Sequence, residues 1–234
     1  MENKEVEYEE KILIYFDVLG FKEIVKNNSA EQIYKVLRAV HGYSEPRYNC
    51  ETIWFSDSII QIYEYPYKYA DKNDQFSFYH YFNNILGTVN LTQLSMLVNY
   101  NVLIRGSIVI GDVYYNKDEH ILFGNALIQA YELESQCALY PRIVIDDSVM
   151  KKLPNFEDFK GLELTRDIDG IYFADPTKYM VQTNSEKPNL QLLIGTLEKL
   201  IESTKGERLP KVSSKYRWLL NKLNDRINTD LSKT

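Results

Sequence analysis

The sequence predicts an α+β fold of the ferredoxin-like kind: a central, mostly antiparallel sheet with helices packed on it, followed by a C-terminal helical pair. Three observations carry this. Ile12–Phe16 is a continuous apolar run of strand length. Two β-prone runs, Thr52–Phe55 and Ile59–Tyr63, are joined by only Ser56-Asp57-Ser58, the pattern of a hairpin. Stretches of helical period then alternate with short apolar runs until Pro188, after which only helical spacing remains.

Taken in order, Ile12–Phe16 reads as a central strand covered on both faces, ending in the strand-to-helix turn Asp17-Val18-Leu19-Gly20-Phe21. Ser29 caps a helix that stops near Gly42 and carries Ile33, Val36, Leu37 and Val40 on one face. After the hairpin comes a polar loop at Pro66–Asn73, then a long helix over Asp74–Asn99 that Gly87 and β-branched residues weaken in its middle. Asn101–Gly111 is a second buried strand, Asn116–Glu119 a turn, and Ile121–Phe123 a short strand pairing back. Gly124 opens a helix through Cys137, and Arg142–Ile145 is a strand. Asp146 and Asp147 cap a short helix to Leu153, and two short strands follow at Leu162–Thr165 and Gly170–Phe173. Pro176 and Pro188 bracket a linker. Beyond it, Leu193, Leu197, Leu200 and Ile201 stripe one helix and Leu219, Leu223 and Ile227 another. Helices are expected on one face of the sheet. The resulting division is an acidic lead (residues 1–10), a main domain (11–185) and a helical extension (186–234).

Composition narrows the function. The 234 residues are 44% apolar and carry 27 basic against 33 acidic side chains, a net charge of −6. That suits one large domain and gives no footprint for nucleic acid or an anionic membrane. Cys50 and Cys137 are the only cysteines, without a CxxC, so neither a disulfide framework nor a zinc ribbon is supported. The start, MENKEVEYEE, is the opposite of a signal peptide, and no apolar run is long enough to span a bilayer. The reading is a soluble, cytoplasmic protein.

Two acids stand out by position. Asp17 ends a buried strand and Asp57 tips the hairpin expected to pair beside it, so their carboxylates can converge at one end of the sheet. Close carboxylates repel, and a divalent cation is the usual compensation, with Mg²⁺ or Mn²⁺ taking few protein oxygens and completing its shell from substrate phosphates. The Val18 carbonyl is a candidate third ligand. The amides of Leu19, Gly20, Phe21 and Lys22 open a helix and could take phosphate. Each acid also has a plainer reading, Asp17 as a helix cap and Asp57 as a turn residue.

The segments FDVLGFKEIV (Phe16–Val25), WFSDSIIQI (Trp54–Ile62), RGSIVIG (Arg105–Gly111) and FGNALIQAYEL (Phe123–Leu133), in that order, resemble the motifs of class III nucleotidyl cyclases. The resemblance implies their catalytic-domain fold over Ile12 to Phe173, with two divalent cations, Mg²⁺ or Mn²⁺, on Asp17, Asp57 and the Val18 carbonyl. It implies a nucleoside triphosphate substrate whose ribose 3′-oxygen attacks the α-phosphate as pyrophosphate leaves. It also implies a head-to-tail homodimer, in which the helix after Gly124 faces the partner's metal site and brings Asn125 and Tyr131 toward its ribose; Asn125 reads equally as a first-turn helix residue.

Departures from that pattern are informative. The family's transition-state Asn falls at Ile128 and its phosphate-binding Arg at Glu132, and the purine-reading positions fall at Ile53 and Ile121, which cannot hydrogen-bond a purine edge. FDVLGF, FSDSI, RGSI and FGNALIQAYELE resemble more closely the pyrimidine cyclases of bacterial Pycsar antiphage systems. That resemblance implies conversion of UTP or CTP to the 3′,5′-cyclic monophosphate. The product would be a defence messenger that reaches a separate effector protein without direct contact between the two proteins. Trp54 then shrinks the base pocket or is ordinary strand packing. Arg105 neutralises triphosphate charge or pairs with a carboxylate such as Glu132. Arg166 falls roughly where the family keeps a phosphate-binding Lys. The alternative is a catalytically inactive, nucleotide-sensing or dimerisation module on the same fold, which Ile128 and Glu132 motivate.

Overall fold

In the computed structural model, residues 6–41, 50–64, 75–153, 163–178, 187–206 and 210–231 are described. The expected loop at Pro66–Asn73 and the linker between Pro176 and Pro188 lie largely or wholly outside them. The apolar run becomes the middle of β1 (Glu9–Val18), which thus begins within the acidic lead. Ile12, Leu13, Ile14, Tyr15 and Phe16 are all buried, because both faces of this strand are covered. The hairpin forms as β2 (Cys50–Phe55) and β3 (Ser58–Glu64). It turns on Ser56 and Asp57, with Ser56 at positive φ. β4 (Ile104–Asn116) runs past the expected end at Gly111 because Tyr114, Tyr115 and Asn116 pair with β5 (Ile121–Phe123). The sheet is completed by β6 (Ile143–Ile145), β7 (Leu164–Arg166) and β8 (Tyr172–Ala174).

The result is an eight-stranded sheet in the order β2-β3-β1-β4-β6-β8-β7, with β5 attached to β4. Among its neighbours only β4 and β6 run parallel. The helices are α1 (Phe21–Asn27), α2 (Ala30–His41), α3 (Gln75–Tyr100), α4 (Asn125–Cys137) and α5 (Asp147–Met150). The C-terminal pair is α6 (Lys187–Gly206) and α7 (Pro210–Leu231). Ser29 and Gln32 bond each other's backbone amides at the start of α2, a capping box. Asp146 caps α5 by accepting from the Ser148 amide.

Helices cover both faces, which corrects the expectation of one. Val36, Val40, Phe82, Leu86, Val149 and Leu153 pack from α2, α3 and the α5 segment on Ile12, Ile14, Phe16 and Ile108. On the other face Ala126 and Ala130 of α4 pack on Leu13, Tyr15, Ile60, Ile62 and Val109. The small alanines let α4 approach closely, and Ser107 Oγ donates to the Ala130 carbonyl at 2.7 Å. Gly124 permits the turn into α4: its φ is 146°, and a Cβ there would lie 2.3 Å from the Asp112 carbonyl oxygen.

The C-terminal helices are part of the same body. Leu193, Leu197, Leu219 and Leu223 share a buried cluster with Leu97 and Leu103, and Leu19, just past the end of β1, packs against it. Trp218 stacks on Tyr140, ring centroids 5.5 Å apart, and meets Phe173 edge-on. Lys222 and Arg226 pair with the buried Asp167 and Asp175 at the far side of the sheet. Among the described residues no helix is long and apolar enough to cross a membrane.

Candidate functional site

Strand register brings the two acids together. Asp17 lies opposite Ser58 on β3, and the amide of Val18 donates to the Asp57 carbonyl at 3.0 Å. Asp17, on β1, and Asp57, in the turn between β2 and β3, therefore lie side by side along the backbone at one end of the sheet. Asp17 alternates with the buried Phe16 and Val18, so its side chain emerges on the α4 face, as Tyr15 and Leu13 do. Tyr15 bonds Ser58 through the two hydroxyls at 2.6 Å, which fastens β1 to β3 just behind the pair.

Arg105 stands opposite Asp17 on β4 and donates through Nε to Asp17 Oδ2 at 2.7 Å. Its Nη1 donates to the Ala138 carbonyl at 3.3 Å, and Nη2 lies 2.7 Å from Oε1 of Glu134, on α4. The carboxylate expected to pair with Arg105 is thus Glu134 together with Asp17. Glu132 lies two residues back on α4 and is exposed, since Ala126, Ala130 and Glu134 are the residues α4 buries. The Arg105–Glu134 contact is close in distance but lacks hydrogen-bond geometry, and Glu134 Oε1 accepts no hydrogen bond from another described residue. Burial pushes the Glu134 carboxyl above its ordinary range; Arg105 opposes this, and Asp17 and Asp57 add to it.

Sequence reasoning did not find Glu134 or Lys215. Lys215, half-buried on α7, shares the electrostatic environment of Arg105, Asp17 and Glu134, and burial, reinforced by Arg105, draws its ammonium below the ordinary lysine range. A signal for Glu134 was available, because it lies one helical turn past Ala130 on the alanine face of α4. For Lys215 there was none without the packing of α7.

The turn after Asp17 is partly as expected. Gly20 sits in the left-handed region, φ 78°, as the helix-opening residue of α1. The Leu19 amide, however, donates to the Leu103 carbonyl at 2.9 Å and is not available to a phosphate. Gly20, Phe21 and Lys22 are the remaining amides of that turn. Val18 is buried, and the Lys22 side chain is exposed.

Other predicted residues are not brought together within one protomer. Ile53 packs on the α4-face cluster, whereas its neighbour Trp54 lies opposite Ile59 and projects from the other face. On β5 it is Leu122 that packs inward, and Ile121 is exposed. The Lys117–Glu51 ion pair does tie the β4–β5 turn to the strand bearing Ile53. Arg166 stands on the edge strand β7, with β4, β6 and β8 between it and β1, and donates to the Gly170 carbonyl at 3.0 Å. Asn125 is the exposed first residue of α4, and Tyr131 is 56% exposed and edge-on to Tyr15.

Two carboxylates and nearby main-chain oxygens form a hard-oxygen donor set. Among the described residues no group of three or more His, Cys, Asp or Glu is placed to cage a metal alone. The chemistry of that donor set, two carboxylates, suits a hard divalent cation.

No sequence-family profile and no curated protein sequence matches the chain. Among solved structures, it is similar to the catalytic core of a rhodopsin-guanylyl cyclase with converted specificity in complex with ATPαS, at 16% identity and a TM-score of 0.48, over 71% of this chain and 96% of that one. The guanylyl cyclase domain of the RhoGC fusion protein from the aquatic fungus Blastocladiella emersonii gives 14% and 0.49, over 71% and 96%. A bacterial light-regulated adenylyl cyclase gives 16% and 0.49, over 82% of this chain and 59% of that one. These are similarities of fold.

Proposed function

We propose that the protein is a metal-dependent nucleotidyl cyclase, acting on a pyrimidine nucleoside triphosphate, UTP or CTP. The observation that carries the reading is the adjacency of Asp17 and Asp57 at one sheet end, beside the Gly20 turn that opens α1. In the reaction the ribose 3′-oxygen bonds to the α-phosphorus, the bond from that phosphorus to the bridging oxygen breaks, pyrophosphate leaves, and the hydroxyl proton passes to solvent. Two divalent cations, when bound, would neutralise the triphosphate and lower the pKa of the 3′-hydroxyl. Asp17 and Asp57, with the Val18 carbonyl, would hold them; Arg105 fixes Asp17 by one oxygen and leaves the other for a cation. The amides of Gly20, Phe21 and Lys22 would take the phosphates.

Preference for a pyrimidine rests on sequence: Ile53 and Ile121 stand where the resembled family reads a purine, and Trp54 adds bulk. A head-to-tail homodimer is supported by the large exposed side chains of Ile128 and Tyr131 on an otherwise polar outer face of α4, 58% and 56% exposed, and by Phe55 at the hairpin tip, 78% exposed. Asn125 and Tyr131, exposed on α4, would act across that interface, and Arg166 would take phosphate. The Pycsar resemblance would make the product an antiphage messenger.

The test is incubation of the pure protein with each of the four ribonucleoside triphosphates and Mn²⁺, with chromatography of products and sedimentation of the same sample. A cyclic pyrimidine nucleotide from a dimer is expected, with turnover lost in folded Asp57→Ala. Absence of any cyclic product and of pyrophosphate contradicts the proposal. A nucleotide-sensing module is the second reading, favoured by Ile128 and Glu132 on the outer face of α4. It predicts that triphosphate raises the melting temperature without turnover.

A further inference from the structure

Three cations of α7 face the body of the protein, and they are not treated alike. Lys222 Nζ donates to Asp167 at 2.6 Å and Arg226 Nη2 to Asp175 at 2.7 Å, so each meets a buried carboxylate. Lys215 lies on the same stripe, one turn before the buried Leu219, yet it forms no hydrogen bond or ion pair with another described residue. Its acidic neighbours are already engaged, since Arg105 bonds Asp17 and lies against Glu134. A half-buried ammonium beside a like-charged guanidinium and without a direct partner is unfavourable in the empty protein. The charges of Asp17 and Glu134 offset that cost in part, and a bound anion would offset more of it.

The position says which anion. Leu19 packs against the leucine cluster that also takes Tyr216 and Leu219, so the end of β1 and the Lys215 stretch of α7 meet the same cluster, and the charges of Asp17 and Glu134 reach Lys215. We propose that Lys215 binds the polyphosphate of the nucleotide. The C-terminal helix would then be part of the substrate site and not only a brace for the fold. This rests on the triphosphate-site reading above, and supplies a cation where that reading lacked one.

Isothermal titration of inorganic tripolyphosphate in the presence of Mn²⁺ tests it, using the full chain, Lys215→Met, Lys215→Arg, the exposed-site control Lys211→Met, and Asp57→Asn. Loss of a charge-assisted contact should weaken binding to Lys215→Met by about tenfold or more. Lys215→Arg and Lys211→Met should bind as the unaltered chain does. The melting temperature of Lys215→Met should be equal or higher, because a partnerless charge has been removed; if Met lowers it, Lys215→Gln is titrated in its place and must show the same loss. If Lys215→Met and Lys215→Gln bind as tightly as the unaltered chain while Asp57→Asn is weakened, the assignment of Lys215 is wrong and the metal-phosphate site stands. If the unaltered chain binds no tripolyphosphate, or Asp57→Asn binds equally well, both readings fall.

Discussion

Two charge clusters join α7 to the sheet, and they differ in how completely their polar atoms are satisfied. At the far edge, Asp167 accepts from Arg142 Nη1, Lys222 Nζ and the Ile168 amide. Asp175 likewise accepts from Thr165, Thr177, the Lys178 amide and Arg226. Arg142 also bonds Asp169 and the Cys137 carbonyl. At the near end, Asp17 has one side-chain donor, Glu134 Oε1 accepts no hydrogen bond among the described residues, and Lys215 meets no partner directly. Buried carboxylates are tolerable when several donors meet them, as they do at Asp167 and Asp175; Arg142 Nε is the one buried side-chain atom there without a hydrogen bond among the described residues, so the far cluster is architecture. The near cluster is less completely bonded: Glu134 Oε1 and the Lys215 ammonium make no hydrogen bond among the described residues, as the proposed triphosphate site expects.

The comparison breaks most readily at Arg142. Arg142→Ala takes one of three donors from the buried Asp167 and the arginine from Asp169, and should destabilise the fold by about 3–5 kcal/mol, lowering Tm by roughly 10 °C. Thermal unfolding by circular dichroism measures it, and a Tm within a degree or two of the unaltered protein would show that the far cluster does not stabilise the fold.

A smaller effect, of opposite sign in the two clusters, appears with pH. The Asp169 carboxyl is held below its ordinary value, first by its hydrogen bond to Arg142, so its contribution is present above the unfolded-state value and lost as pH falls through the folded one. Glu134 is raised by burial, so its contribution is present below the unfolded-state value and lost as pH rises through the folded one. Denaturant unfolding across mildly acidic to neutral pH should therefore show a shallower loss of stability with rising pH in Glu134→Gln, and an unchanged slope over the same range in Asp169→Asn. Identical slopes in Glu134→Gln and the unaltered chain would remove the near cluster's distinction.

Much of this was legible in the sequence. Hairpin, capping and helical-period signals are local, so β1, the β2–β3 pair, α2, α4 and both C-terminal helices fall where the residues put them. The meeting of Asp17 with Asp57 was also readable, since a short hairpin beside a buried strand leaves few registers. What failed to show was tertiary. The second covered face depended on Ala126 and Ala130, small residues whose contribution is close approach and not hydrophobic bulk. The spent amide of Leu19 depended on Leu103, a residue 84 positions away. Lys215 looked like any exposed helix lysine until α7 was packed against Leu19 and Leu103.

The central claim is that Asp17 and Asp57 together hold a divalent cation with a triphosphate. Electron paramagnetic resonance titration of Mn²⁺ in the presence of UTP or CTP reads it most directly, comparing the unaltered chain with Asp17→Asn and Asp57→Asn. Bound Mn²⁺ that appears with the unaltered chain, and is lost in either variant at unchanged Tm, is the predicted result. Equal Mn²⁺ binding by all three proteins, or none by any, would contradict it.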